Sequence, residues 1–190
     1  MTKTADDYIF FWKTNEVHGW GSQWYTSPFK ATINFGPFEN DADSSELQPE
    51  DITVPTAEHW MMLQKALLFN DIAVAREIMA VSGTTQSKMA QIKALGRKVQ
   101  NFNDATWVAN RERIVLEGNL LKFRQNEELR VKLLATGDKT IVEASPRDRI
   151  WGIGFGERNA LSQKERWGLN LLGKALEETR RVLRAEGEEK

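Results

Sequence analysis

Residues 54–69 read VPTAEHWMMLQKALLF, and the fold turns on how this stretch is read. Pro55 and Thr56 set up a helix start, with Thr56 as the N-cap and Glu58 in the first turn, where the helix dipole favours negative charge. At a 3.6-residue period, Glu58, Met61, Met62, Lys65, Leu68, Phe69 and Ile72 share one face. Trp60, Leu63 and Leu67 form a second apolar edge beside it. A helix apolar around most of its circumference belongs in the middle of a molecule. Two charges on such a helix need explaining. Glu58 and Lys65 lie seven residues apart, on nearly one meridian and about 10 Å apart along the axis. Either Glu58 serves the helix terminus and Lys65 snorkels to solvent, or both face a polar cavity or each other, because an unpaired buried charge is costly. The pattern alone leaves both readings open.

From Pro55 onward the pattern stays mostly helical. Residues 71–81 form a second helix starting near Asp71. Residues 85–95 form a third, stopped by Gly96 at a C′-like position. A long helix over 104–125 follows a cap at Asn103 or Asp104, and 126–136 restarts at Asn126 and ends at Gly137. The last helix spans 163–185 and frays into a charged tail around 186–190. Strands are expected at 8–12, 29–35 and 140–144. Residues 15–28 read as an ordered loop, 36–52 as an exposed acidic insertion and 145–160 as a glycine-punctuated loop. The expected architecture is α+β, a mostly helical single domain over residues 1–190 with helices packed around a small β-sheet.

The bulk composition narrows the function. A chain of 190 residues suits one domain, or at most two small ones, and can bury roughly 70% of its unfolded surface. With no cysteine there is no disulfide, thiolate zinc site or cysteine nucleophile. Two histidines, His18 and His59, rule out a histidine-rich metal site and leave all-oxygen ligation as the remaining option. A net charge of −1 supplies no global field for nucleic acid or anionic membrane. Arg111, Arg113, Lys122 and Arg124 make at most a local basic strip, a pattern that is usually a solvated helix face. No leader peptide is expected at the N-terminus, and no apolar run approaches the ~20 residues of a membrane span. Seven tryptophans are the unusual figure. Each either packs in the core or joins a cluster lining a site for a flat ligand.

The loop EASPRDRIWGIGFG at 143–156 brings Glu143, Arg147 and Asp148 near Trp151. Its glycines let backbone approach a ligand closely, but the spacing is not the dinucleotide-binding fingerprint. Neither histidine has a serine in a nucleophile-elbow setting. Loop acids are most often simply solvated.

Several segments together carry a resemblance. GWGSQWYTSPF at 19–29, PTAEHWMMLQKA at 55–66, LGR at 95–97, NDATW at 103–107, LLKFRQNEELRVKLLATG at 120–137, VEASPRDRIWGIG at 142–154 and GLNLLGKALEETR at 168–180 run in order along nearly the whole chain. The chain resembles the NADAR (YbiA-like) family. The family pattern near the first loop resembles GFLSNFYPSPF, and Gly21-Ser22-Gln23 depart from it. That departure and the acidic insertion bear on substrate identity more than on reaction type.

The resemblance implies an N-glycosidase that hydrolyses a ribosyl C–N bond, foremost one removing ADP-ribose from modified guanine bases. The alternatives are hydrolysis of phosphoribosylamino-pyrimidine intermediates of riboflavin biosynthesis, or an ADP-ribose-binding module without catalysis. It implies no cofactor and no metal. The partner is a nucleotide-sugar or ADP-ribosylated nucleobase, with nucleic acid as a transient carrier, no membrane, and a cytoplasmic or nuclear location. Carried over by motif position, Glu58, Lys65 and Asp148 are the catalytic candidates. Trp107, Trp151, Arg97, Ser22, Trp24 and Gly152 are the substrate-binding candidates. A docking role for the acidic insertion is a separate expectation.

Overall fold

The computed structural model describes residues 4–35 and 49–188. Four strands are present among them: β1 (Tyr8–Phe11), β2 (Phe29–Ile33), β3 (Glu50–Val54) and β4 (Thr140–Glu143). Seven helices accompany them: α1 (Ala57–Leu68), α2 (Ile72–Ala80), α3 (Gln86–Lys98), α4 (Asp104–Gln125), α5 (Glu127–Leu134), α6 (Glu157–Ala160) and α7 (Leu171–Glu188). The β structure is two separate pairs. β1 and β4 run parallel with Tyr8 opposite Thr140, and β2 and β3 run antiparallel with Phe29 opposite Val54. The whole block α1–α5 lies within the crossover joining β1 to β4.

α1 is central, packing against α2, α3, α4 and β3. Its cap is Thr56, whose side chain accepts from the His59 amide at 3.3 Å. Trp60, Met61, Met62 and Leu63 are all buried. At about 2 kcal/mol for each such side chain, they outweigh the cost of sequestering one neutral carboxyl on the same helix. Two glycines let the neighbours close in. A β-carbon at Gly118 of α4 would strike the Trp60 ring, and one at Gly96 of α3 would strike the Met62 sulfur.

Several expectations are corrected. Gly96 does not end α3, which runs on to Lys98; its lack of a side chain serves packing against α1. Residues 50–52, read as the end of the acidic insertion, belong to β3, where Glu50 pairs with Ile33. The rest of that insertion, 36–48, and residues 189–190 of the tail lie outside the described residues. Asn126 makes no side-chain cap bond. Its amide donates instead to the carbonyls of Pro28 at 3.2 Å and Lys122 at 2.8 Å. The last helix is interrupted: Leu161–Arg166 is a 3-10 turn and α7 begins only at Leu171. Lys122 is no part of a solvated strip, being completely buried. Among the described residues no helix is long and apolar enough to cross a membrane.

Candidate active site

Three segments converge on the first turn of α1. The loop after β1 arrives first: the Glu58 amide donates to the Gln23 carbonyl at 3.0 Å, and the Trp24 side chain lies by the Glu58 carboxyl and favours its ionised form. β4 arrives second and ends at Glu143. The turn beyond it arrives third and carries Asp148, whose Oδ1 accepts from the amides of Ile150 at 2.9 Å and Trp151 at 2.8 Å. α3 lies alongside and contributes Lys93.

The 149–153 turn is held in place by backbone bonds to the start of α7. Leu169 donates to Arg149, Leu171 to Ile150 and Leu172 to Trp151. Asn170, with φ of 52°, bridges the free edge of β4, accepting from the Glu143 amide at 3.0 Å and donating to the Ile141 carbonyl at 2.9 Å. The break between the 3-10 turn and α7 therefore has a purpose: it frees the backbone groups that hold this turn. Gly152 fits because a β-carbon would come within 2.7 Å of the Glu143 carbonyl.

Electrostatics set the two glutamates apart from ordinary carboxylates. Burial is the main cause in both. Glu58 rises from 4.5 to about 7; Asp148 raises it further, while Lys93 and the neighbouring Trp24 side chain oppose the rise. Glu143 rises to about 8, with Asp148 and Glu58 adding to burial and Lys93 opposing. Glu58 Oε1 and Glu143 Oε2 are both buried without a hydrogen-bond partner, and so is Gln23 Oε1. Buried polar atoms are nearly always paired, so orphaned oxygens within one charge cluster make these residues the candidate ligand site. Neighbouring His59 takes no proton at neutral pH, since burial lowers its pKa to about 4.

Lys65 stands elsewhere. It lies about 10 Å further along α1. Its Nζ donates to the Gly96 carbonyl at 2.7 Å and sits 4.5 Å from the Phe102 ring centroid and 5.5 Å from that of Trp107. Burial, then the Arg97 charge, lower its pKa. Phe102 is 44% exposed, so this cationic and aromatic group opens to solvent.

The nine residues singled out in the sequence thus fall into two groups along α1. Glu58, Asp148, Ser22, Trp24, Trp151 and Gly152 gather at its N-terminal end. Lys65, Arg97 and Trp107 gather at its C-terminal end. Ser22 reaches the first group only through the loop, its Oγ accepting from the Trp24 amide at 3.2 Å. Glu143 was noted in the sequence as one of the loop acids near Trp151 but not placed among the site candidates; its position at a strand end gave no hint of its buried oxygen. Lys93 had no signal at all, being one lysine on an exposed helix face. Of the tryptophans, Trp20 and Trp60 are core and Trp167 packs on Tyr8. Two surface hollows among the described residues lie elsewhere, one of about 370 Å3 along α7 and one of about 330 Å3 between β2, α1 and α4.

The chain is similar to known proteins along nearly its whole length. The family model described as NADAR domain matches residues 10–184. N-glycosidase R617 of Acanthamoeba polyphaga mimivirus is 43% identical over 178 residues, covering 90% of this chain and 94% of that protein. N-glycosidase YbiA of Escherichia coli is 30% identical over 158 residues, covering 83% and 88%. Protein irg-1 of Caenorhabditis elegans is 32% identical, covering 85% and 74%. The NMR structure of the E. coli protein YbiA superposes with a TM-score of 0.69 at 27% identity, covering 99% of this chain and 91% of that one.

Proposed function

The chain belongs to the NADAR family, and from that premise we propose that it is an N-glycosidase that hydrolyses a ribosyl C–N bond, releasing ADP-ribose from a modified guanine. The observation that carries the reading is the Glu58–Glu143 pair, one buried and one partly buried carboxyl in one charge cluster, each with a buried oxygen that has no hydrogen-bond partner.

Such a pair suits the chemistry. Cleaving a ribosyl C–N bond builds positive charge at C1′, and the leaving nitrogen needs a proton. Glu143, whose pKa is near 8, holds a proton at neutral pH and gives it to the nitrogen. Glu58, near 7, is the more readily ionised partner. Its carboxylate stabilises the oxocarbenium and then takes the proton of the attacking water, whose oxygen bonds to C1′. Two carboxyls pushed to different pKa values by their surroundings are the usual way to divide such roles. Asp148 raises both and fixes the turn that carries Trp151. In this reading Trp24 and Trp151 supply rings on which a base stacks.

The other end of α1 supports the longer substrate. Lys65 and Arg97 suit a phosphate, with Phe102 and Trp107 beside them. They lie about 10 Å along the axis from the carboxyls, further than a single ribose 5-phosphate reaches from C1′. A diphosphate carrying a second nucleoside spans that gap. The Lys65 bond to Gly96 favours the charge-holding role over attack on an opened ribose.

The test is a product assay on two substrates in parallel, an ADP-ribosylated guanine oligonucleotide and the phosphoribosylamino-pyrimidine. Release of ADP-ribose from the first is expected. Turnover of the second alone would replace the proposed substrate, and turnover of neither, with ADP-ribose still bound, would leave a binding module. Borohydride added during turnover should trap no adduct on Lys65; an adduct there would restore the imine role.

A further inference from the structure

Lys122 is the most heavily buried charged group in the described chain and the mechanism above leaves it unused. It stands on α4, fully buried, with its Nζ 2.7 Å from the Trp20 carbonyl and 3.1 Å from the Ser22 carbonyl. The Phe123 and Tyr25 rings lie 5.1 and 5.7 Å away. Burial alone lowers its pKa, to about 7, with no carboxylate to offset it. A lysine in that position is a poor stabiliser, because taking an ammonium from water costs more than two carbonyl bonds return. An apolar side chain of the same length would fill the space at lower cost.

What the two bonds do is fix a loop. Gly19–Gly21 is a 3-10 turn whose Trp20 packs edge-on against Phe123, the residue after Lys122. The loop leaves Ser22 and next presents the Gln23 carbonyl to the Glu58 amide, with the Trp24 side chain by the Glu58 carboxyl. Of the two carbonyls held by Lys122, that of Ser22 immediately precedes Gln23, and that of Trp20 lies one residue before Gly21-Ser22.

We propose that Lys122 is a positioning residue: its ammonium clamps the Trp20 and Ser22 carbonyls so that the loop sets Gln23 and Trp24 against Glu58. It touches neither substrate nor reacting atoms. This rests on the N-glycosidase reading only for its kinetic consequence. The effect on Glu58 itself stands without it.

The tests are Lys122→Met, which keeps the packing and removes the charge, and Lys122→Ala with added n-propylammonium. Lys122→Met should fold with an unchanged or higher Tm yet lose about tenfold or more in kcat, with little change in KM. Combining it with Trp24→Phe should add little further loss, because both act through the placement of Trp24 by the Glu58 carboxyl. Carbon-13 NMR titration should show the Glu58 carboxyl shifted upward by about one unit in Lys122→Met, a result readable even if no substrate is turned over. The amine should restore part of the Lys122→Ala rate. Wild-type kcat with an unmoved Glu58 titration would overturn the proposal. So would additive losses with Trp24→Phe, absence of amine rescue, or failure of both variants to fold, which would make the lysine structural. A borohydride-trapped adduct on Lys122 would instead make it a nucleophile.

Discussion

Glu58 and Glu143 decide the chemistry through their protons. Both folded pKa values lie above the unfolded value of 4.5, at about 7 and about 8. An acid whose pKa is raised by folding binds its proton more tightly in the native state. Its stabilising contribution is complete below about pH 4.5 and is lost as pH climbs through 7 and 8. Glu143→Gln keeps the neutral shape and removes the ionisation. Its Tm should therefore match the parent near pH 4.5 and exceed it at pH 9, a comparison calorimetry makes directly. The same substitution removes the proton donor, so kcat should fall by about a hundredfold or more. For the parent, activity needs Glu58 ionised and Glu143 protonated. The pH–rate profile should be a narrow bell with limbs near 7 and 8. A broad plateau from pH 5 to 9 would remove the assignment.

At the scale of elements, caps and close approaches place these residues. Asp71 caps α2 with one oxygen, accepting from Val74 at 3.1 Å, and holds the end of α3 with the other, accepting from Gln100 at 2.9 Å. Asp71→Ala should cost about 1–2 kcal/mol in urea unfolding, with kcat nearly intact because both bonds lie away from the carboxyls. Gly118→Ala acts differently. Its new methyl meets the Trp60 ring, so α1 and α4 must move apart at a cost of about 1–3 kcal/mol. Because α1 carries Glu58, activity should fall along with stability. The Thr56 and Asp71 caps were legible from residue type and spacing, as was the long α4. Gly96 misled, since a glycine near a helix end reads as a stop. Whether it stops a helix or admits a neighbour depends on what lies opposite, here Met62.

For the whole molecule, α1 acts as a ruler between the carboxyls and the Lys65–Arg97 group. Lys65→Met should raise KM for the diphosphate substrate severalfold or more and leave kcat nearly unchanged, as expected when a lost contact serves ground state and transition state alike. An equal fall in kcat would place Lys65 at the reacting atoms instead. The sequence by itself determined the helical run from Thr56, the three strands with alternating or β-branched patterns, and the family. Those features depend on neighbours within a few residues, or on motifs whose order survives without coordinates. The tertiary structure alone decided that Lys122 is buried, that Glu143 joins Glu58 and that Lys65 does not. Each of these depends on which segment packs opposite, and the segments concerned are separated by tens of residues. Burial sets the pKa of a carboxyl or an ammonium, and no local pattern of residues reports it.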